Sequence, residues 1–402
     1  MVDSSAAVHA SPTPPRAAGP TALAARSLAP DLARGLMLLF IALANTHTFL
    51  HLGGWNVRAH PHAGGGSALD ATVSAVLTVF VDGRSYPMFA ALFGYGLVQI
   101  MRKQERAGLD WPQTRKLLRR RGWWLVVFGV LHATLLFYGD ILTSYGLIAV
   151  VLVGSLRAQG RGLAIRLAVW LTLGSLVYGL FSLPVDESAE QFAGPMMLAT
   201  IDDPLVAMGY RALMILFSGP VIAVTAAGAV LLGAWAARRR ILEEPERHLR
   251  LLRRTAAVGI TVAAVGGLPL ALQTADLLPI SNPAVFVSGT LHALTGYAGG
   301  LGYAAAIALF AVRLGERRGP LVNALAATGQ RSLTCYLLQS LVWYVAFMPF
   351  LLDLGTRVGV TVTSVLAICT WAMTVVVADL MRRAGQRGPF EVVLRRLVYR
   401  RP

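Results

Sequence analysis

Polar side chains interrupt an otherwise apolar segment, LAPDLARGLMLLFIALANTHTFLHL, at residues 28–52. Asp31 and Arg34 stand near its start, and their spacing of three residues lets the two side chains interact on one helix. A guanidinium matches the geometry of phosphates and carboxylates, so Arg34, oriented by Asp31, is a candidate for binding an anionic donor. The alternative is an anchor in which Arg34 extends along the apolar surface to reach water.

Asn45 and His47 lie about three turns farther along the same segment. Polar groups at membrane depth are costly, and they usually face a protein interior or a wet cavity. Histidine titrates near neutral pH and can act as a general base, so His47 is a candidate catalytic residue. The alternative for His47 is a hydrogen bond between two helices.

A second polar pattern follows in segment 70–83. Its four-residue period places four polar side chains on one helix face: Asp70, Ser74, Thr78 and Asp82. Because a segment this short cannot cross a bilayer, the pattern predicts a re-entrant or interfacial helix whose polar face lines a cavity. Asp82 and the following Arg84 are candidates for the same cavity as His47. The alternative is a turn in which they need only each other.

The composition predicts a membrane protein. The 402 residues are 55% hydrophobic and 14% charged, whereas soluble proteins carry about 25% charged residues. The formal net charge is +16, but the basic residues occur in short clusters between apolar runs. This is the distribution typical of cytoplasmic loops, so it indicates the lipid bilayer rather than nucleic acid as the partner.

The apolar runs and basic loops together predict an all-α, polytopic helix bundle with both termini in the cytoplasm. Residues 1–26 are predicted to be a disordered tail, 27–381 a transmembrane domain and 382–402 a basic cytoplasmic tail. Ten spans are expected besides the short helix at 70–83: residues 33–51, 86–101, 123–138, 141–156, 167–183, 207–236, 255–273, 286–311, 325–347 and 358–380.

Further polar residues lie in later spans. Arg331 and Gln339 belong to the ninth span. Ser332, Tyr336 and Gln339 share one face of this span, which predicts a polar stripe directed at the bundle interior. Three others are predicted to be buried polar contacts rather than site residues: His132, Asp140 and His292. His60 and His62 lie in a glycine-rich loop, and two histidines are too few ligands to predict a metal site.

Four motifs resemble signatures of the YeiB-like family of bacterial multi-pass membrane proteins. They are PDLARGLMLLFIALAN, FVDGRSYPMFAALFGYGL, GQRSLTCYLLQS and GPFEVVLRRL, and they extend over nearly the whole chain. The resemblance implies a location in the bacterial cytoplasmic membrane.

The YeiB-like family is similar to the transmembrane acyltransferases, which share Asp-x-x-Arg-Gly at the start of the first helix. That group includes enzymes that decorate bacterial glycans and the lysosomal heparan glucosaminide acetyltransferase. The lysosomal enzyme has an Asn at the position of Asn45 and uses a His several residues later, and this chain follows that pattern. The resemblance implies transfer of an acyl group from cytoplasmic acyl-CoA to a small-molecule, glycan or lipid acceptor in the cell envelope.

In such a reaction His47, steadied by Asn45 or Asp82, would deprotonate the acceptor. The candidate donor- or substrate-binding residues are Asp31, Arg34, Arg84, Arg331 and Gln339. Acyl-CoA is expected as a substrate, and a permanently bound cofactor is not. The alternative function is a transporter of a small solute or lipid, which the polar helix faces and the Gly219-Pro220 break fit equally well.

Overall fold

The computed structural model describes residues 27–50, 67–183, 201–275, 277–315 and 317–399, and all regular structure in these ranges is helical. The described α-helices are numbered α1 to α13 in chain order: Leu28–Thr46, Ala68–Phe80, Ser85–Arg106, Trp111–Leu135, Ile141–Val151, Gly160–Leu180, Pro204–Arg238, Leu249–Thr274, Asn282–Leu314, Pro320–Gln330, Ser332–Phe347, Val360–Arg383 and Pro389–Tyr399.

The helical class predicted from the sequence is confirmed, and the apolar helices indicate a membrane protein. Six helical segments are long and apolar enough to cross a membrane, among the residues that the structure describes: Leu28–Phe49, Gly160–Leu180, Pro204–Arg238, Pro245–Thr274, Asn282–Leu314 and Val360–Arg383. Their outer faces are apolar and exposed. On α6 the exposed residues recur every three or four positions: Ile165, Val169, Leu173, Leu176 and Leu180. Such a stripe suits contact with lipid tails.

The arrangement of ten spans stays a prediction, because the spans predicted at 86–101 and 123–138 are not among these six segments. Two further predicted spans differ from the structure in their helices. The span predicted at 141–156 contains only the 11-residue helix α5, which is about 16 Å long, followed by a short 3-10 helix. The span predicted at 325–347 is divided at Arg331, whose φ of −115° and ψ of 29° interrupt the helix between α10 and α11. The Arg331 side chain folds back and donates to the carbonyl of Ala327 at 3.1 Å, which satisfies one of the final carbonyls of α10.

Helix α2 occupies the segment predicted to be a short, non-crossing helix. It begins at a capping box in which the side chains of Ser67 and Asp70 accept from each other's backbone N–H groups. Ser74 and Thr78 on its polar face are buried, and Asp70 also accepts from the backbone and hydroxyl of Thr361 at the start of α12. The polar face therefore packs against the bundle, chiefly against α8 and α12.

Helices α1 and α10 cross in direct backbone contact. A Cβ atom at Gly35 would overlap the carbonyl oxygen of Leu325, and one at Gly329 would overlap the carbonyl oxygen of Asp31. Small residues let helix backbones approach in this way inside a membrane. The crossing sets the position of Asp31 and of the nearby Arg331, two of the candidate site residues.

Helix α13 belongs to the segment that the sequence assigns to a basic tail, and it packs on α4 and α11. Its residues Leu394 and Val398 are buried. Glu391 accepts from the backbone N–H groups of Leu333 at 2.8 Å and Thr334 at 3.0 Å. The first N–H groups of a helix have no acceptor within that helix. The Glu391 carboxylate provides one, and it therefore caps the start of α11.

We expect Glu391→Ala to loosen α13 from the bundle, because it leaves the first N–H groups of α11 without this acceptor. A lost cap costs about 1–2 kcal/mol, which should lower Tm and speed proteolysis near the exposed Arg387. Thermal unfolding and limited trypsin digestion in nanodiscs measure both effects. Glu105→Ala, at an exposed glutamate of α3, is the control. Equal Tm values for the two variants would contradict the capping role.

Candidate functional site

A cavity of about 1180 Å³ opens on the side of the bundle that carries the basic loops. Its wall includes ten basic residues and four acidic ones. The basic residues are Arg34, Arg102, Lys103, Arg106, Arg121, Arg240, Arg318, Arg331, Arg387 and Arg395. This excess of cations makes the cavity attractive to a ligand that carries several negative charges.

The acidic residues of the wall are mostly engaged with protein groups. Glu243 accepts from Arg102 at 2.7 Å, and Glu391 caps α11 as described above. Near the opening, Arg240 donates to Glu244 at 2.9 Å, and this hydrogen bond is the main reason that the pKa of the Glu244 carboxyl lies below its usual value. The carboxylates therefore neutralise only part of the basic wall.

The inner end of the cavity is apolar. It is lined by Phe93, Leu125, Ile141, Leu142 and Tyr145. The rings of Phe93 and Tyr145 stack at a centroid distance of 5.1 Å. A basic opening and an apolar end suit a ligand with a charged head and a less polar tail.

Asp31 and Arg34 form the ion pair predicted from their spacing. Arg34 Nη1 lies 3.2 Å from Asp31 Oδ1, and the two side chains are 19% and 4% exposed. Arg34 Nη2 also donates to the carbonyl of Leu92 on α3 at 3.3 Å. Both residues line the cavity, and a Cβ atom at Gly96 would lie only 3.4 Å from Arg34 Nη2, so this glycine leaves room for the guanidinium. The pair fixes a positive charge in the wall.

Arg331 lies in the same wall, at the break between α10 and α11. The residue is 2% exposed, and its Nη2 donates to the carbonyl of Gln386 at 2.5 Å. Its Nε is buried and has no hydrogen-bond partner among the described residues. The structure thus brings Asp31, Arg34 and Arg331 together around one cavity.

His47 and Asn45 lie elsewhere in the bundle. His47 is buried, and its Nε2 lies 3.2 Å from the Ser364 hydroxyl on α12. The Asn45 side-chain nitrogen is buried without a hydrogen-bond partner among the described residues. Neither residue belongs to the wall of the main cavity. His51, His60 and His62 lie outside the described residues.

Asp82 and Arg84 are also separate from that wall. Arg84 is fully buried and donates to the carbonyl of Asp82 at 2.6 Å and to the carbonyl of Ala263 on α8. It contacts the ring nitrogens of His292 on α9 at 2.8 Å. These contacts join the start of α3 to α8 and α9, and they provide the buried guanidinium with acceptors.

Gln339 lies on the predicted polar face of α11, directed at the bundle interior. It is fully buried, and its Nε2 is 3.4 Å from the carbonyl of Leu38 on α1. Tyr336, one turn earlier, is part of the cavity wall, whereas Gln339 is not. The stripe therefore extends from the cavity into the packed interior.

The hairpin of α4 and α5 brings together two residues that the sequence suggested only as buried contacts. His132 Nδ1 lies 2.8 Å from Asp140 Oδ1, and the two side chains are 1% and 0% exposed. The His132 ring packs against that of Tyr336 at a centroid distance of 5.0 Å. The available sequence signal was an aspartate at the start of an apolar helix, eight residues after a histidine.

Comparison with known proteins finds one matching family and two similar proteins. Residues 236–401 match the family described as "Protein of unknown function (DUF418)". The chain is 26% identical over 357 residues to "Uncharacterized protein YxaH" of Bacillus subtilis strain 168, and this match covers 83% of each chain. It is 27% identical over 393 residues to "Uncharacterized protein YeiB" of Escherichia coli strain K12, which covers 93% of this chain and 97% of that one. The chain is therefore similar to the DUF418 family over its C-terminal part and to both of these proteins over most of its length.

These matches confirm the family resemblance seen in the sequence motifs. The DUF418 match includes α8 to α13 and, within them, the broken helix at Arg331 and its partner Gln386. Asp31 and Arg34 precede the matched range, but they lie in the same cavity wall as Arg331. The candidate donor site is therefore assembled from both halves of the chain.

Proposed function

We propose that this protein is a membrane acyltransferase. It would accept an acyl group from cytoplasmic acyl-CoA and pass it to a hydroxyl or amine of a cell-envelope acceptor. The observation that carries this proposal is the cavity with a basic opening and an apolar inner end. The phosphates of coenzyme A suit the basic opening, and the thioester with its acyl group suits the apolar end.

Arg34 and Arg331 are the proposed contacts for donor phosphates. Both are held by protein acceptors on one side and face the cavity on the other. A preorganised guanidinium loses less conformational freedom when it binds a phosphate than a mobile one does. His47 remains a candidate base, supported only by its residue type and burial.

The test uses wild-type protein in nanodiscs and radiolabelled acetyl-CoA. We expect saturable binding that weakens as salt rises, because the ligand is held largely by charge. Removal of the 3′-phosphate from the ligand should weaken binding further. Label should also pass from acetyl-CoA to a component of a bacterial envelope extract. Protein that binds neither acetyl-CoA nor free coenzyme A would overturn the proposal.

A transporter is the second candidate, and the two short helices favour it. Helix α5 has 11 residues, and α10 and α11 are separated by the break at Arg331. Secondary transporters commonly build their binding sites at such broken helices. Uptake of an anionic solute into proteoliposomes, without any change in added acetyl-CoA, would favour transport over acyl transfer.

The proposed direction of transfer requires the basic loops to face the cytoplasm. Cysteines introduced at Glu105 and Thr356, in a Cys335→Ala, Cys369→Ala background, should then react with an impermeant maleimide from opposite sides. Both introduced positions are exposed. In intact cells only Thr356→Cys should label, since the positive-inside rule places Glu105 in the cytoplasm. Labelling of both from one side would contradict the arrangement of ten crossings with both termini inside.

A further inference from the structure

The carboxylate of Asp140 organises a polar cluster within the apolar bundle. Its Oδ2 accepts from the backbone N–H of Thr143 at 2.6 Å, which caps the start of α5. Its Oδ1 lies 2.8 Å from His132 Nδ1. Since an ionised carboxylate can only accept, this contact places the hydrogen of a neutral imidazole on Nδ1 and leaves Nε2 as a proton acceptor.

The Nε2 atom of His132 is the second observation. It is buried and has no hydrogen-bond partner among the residues that the structure describes. Buried polar atoms in folded proteins nearly always have a partner, so one without a partner calls for an explanation. An imidazole held by a carboxylate at one nitrogen, with the other nitrogen available, is the usual arrangement of a general base.

The cluster lies directly behind the inner end of the cavity. Ile141 and Leu142, which follow Asp140, form part of the cavity wall, as does Tyr336. The Tyr336 ring packs against the His132 ring at 5.0 Å. His132 itself is not part of the wall, so the base lies behind the Tyr336 ring, next to the apolar end where the proposed function places the thioester. Contacts of this kind are often long without substrate and shorten when it binds.

We propose that His132, held by Asp140, is the acid–base group of the transfer reaction. This inference rests on the proposed function. His132 Nε2 takes the proton from the acceptor hydroxyl while the hydroxyl oxygen bonds to the thioester carbonyl carbon. This addition forms a tetrahedral oxyanion. The oxyanion collapses, the carbon–sulfur bond breaks, and the imidazolium returns the proton to the sulfur. The products are an ester and free coenzyme A, and water as acceptor gives a free acid instead.

The competing explanation is a structural one, in which His132 and Asp140 only fasten α4 to α5. Asp140→Asn separates the two explanations, because asparagine is also a good helix cap for Thr143. It removes the carboxylate that holds the imidazole in one tautomer. His248→Gln serves as the control for the loss of a histidine, since His248 contacts the carbonyl of Arg239 at 3.1 Å and is not part of the cavity wall. His47→Gln is measured beside it, because His47 is the other candidate base.

The experiment measures acetyl-CoA affinity and the release of coenzyme A thiol, with water as acceptor, for protein in nanodiscs. His132→Gln should bind acetyl-CoA within about twofold of wild type but release thiol at least about a hundredfold more slowly, within the range for loss of a general base. Asp140→Asn should also bind normally and turn over slowly. Added imidazole should restore part of the rate of His132→Ala, and His248→Gln should keep the wild-type rate.

Three results would overturn the inference. A His132→Gln variant with the wild-type rate, beside an inactive His47→Gln, would make His47 the base and leave the proposed function intact. Parallel loss of binding and rate in His132→Ala, without rescue by imidazole, would show that the pair is structural. A wild-type protein that neither binds acetyl-CoA nor releases thiol would overturn the proposed function and this inference with it.

Discussion

Gly329→Val is expected to leave little protein that is folded at 37 °C. The new Cβ would overlap the carbonyl oxygen of Asp31 on α1, and a backbone atom cannot turn aside as a side chain can. Helices α1 and α10 would have to separate, and overpacking of this kind costs about 1–3 kcal/mol or more. The separation would also displace Arg34 and Arg331 from the cavity wall. Thermal unfolding and size-exclusion profiles in detergent measure the loss.

Gly209→Val is the matched control for that substitution. Gly209 lies in α7, and a Cβ atom there would meet nothing within 4 Å. The same side chain is therefore added to a helix without any clash. If both variants unfold at the same temperature, α1 and α10 do not meet at Gly329, and the cavity geometry described above is wrong.

Arg34→Gln is expected to weaken acetyl-CoA binding about tenfold or more, since a hydrogen bond to a charged group contributes about 1.5–3 kcal/mol. The glutamine keeps a polar group near Asp31 but removes the positive charge from the cavity wall. The dependence of binding on salt should become less steep for the same reason. Equilibrium binding at several salt concentrations gives both quantities from one set of samples.

Arg166→Gln controls for the loss of one positive charge. Arg166 is exposed on α6 and donates to the carbonyl of Gly162 within its own helix. Its replacement should change acetyl-CoA affinity by less than about twofold, because an exposed charge distant from the ligand is screened. Equal acetyl-CoA affinities for wild type and Arg34→Gln would show that Arg34 does not contact the donor.

The sequence predicted those features that depend on residues close together in the chain. Asp31 and Arg34 pair because three residues make less than one turn of a helix. The face of α2 that carries Ser74 and Thr78 is buried because a four-residue period follows one side of a helix. Apolar runs likewise locate most of the helices, since length and composition suffice for that purpose.

Contacts between distant parts of the chain could not be predicted in the same way. Arg84 meets His292 across 208 residues, and Arg331 reaches Gln386 across 55, and no local pattern encodes either pairing. No proline marks the break at Arg331, and the groups that bind the chain there, the Gln386 carbonyl and the Glu391 carboxylate, lie more than 50 residues farther along the chain. His132 and Asp140 are close in sequence, but only the short turn between α4 and α5 directs them at each other.

The position of bound acyl-CoA would show whether the basic cavity is the donor site. Cryo-electron microscopy of the protein in nanodiscs, saturated with a non-hydrolysable acetyl-CoA analogue, would provide it. We expect phosphate density beside Arg34 and Arg331, with the acetyl group at the apolar end near Tyr336. Ligand density outside this cavity, or an unchanged cavity at saturating ligand, would contradict the assignment of the cavity as the acyl-CoA site.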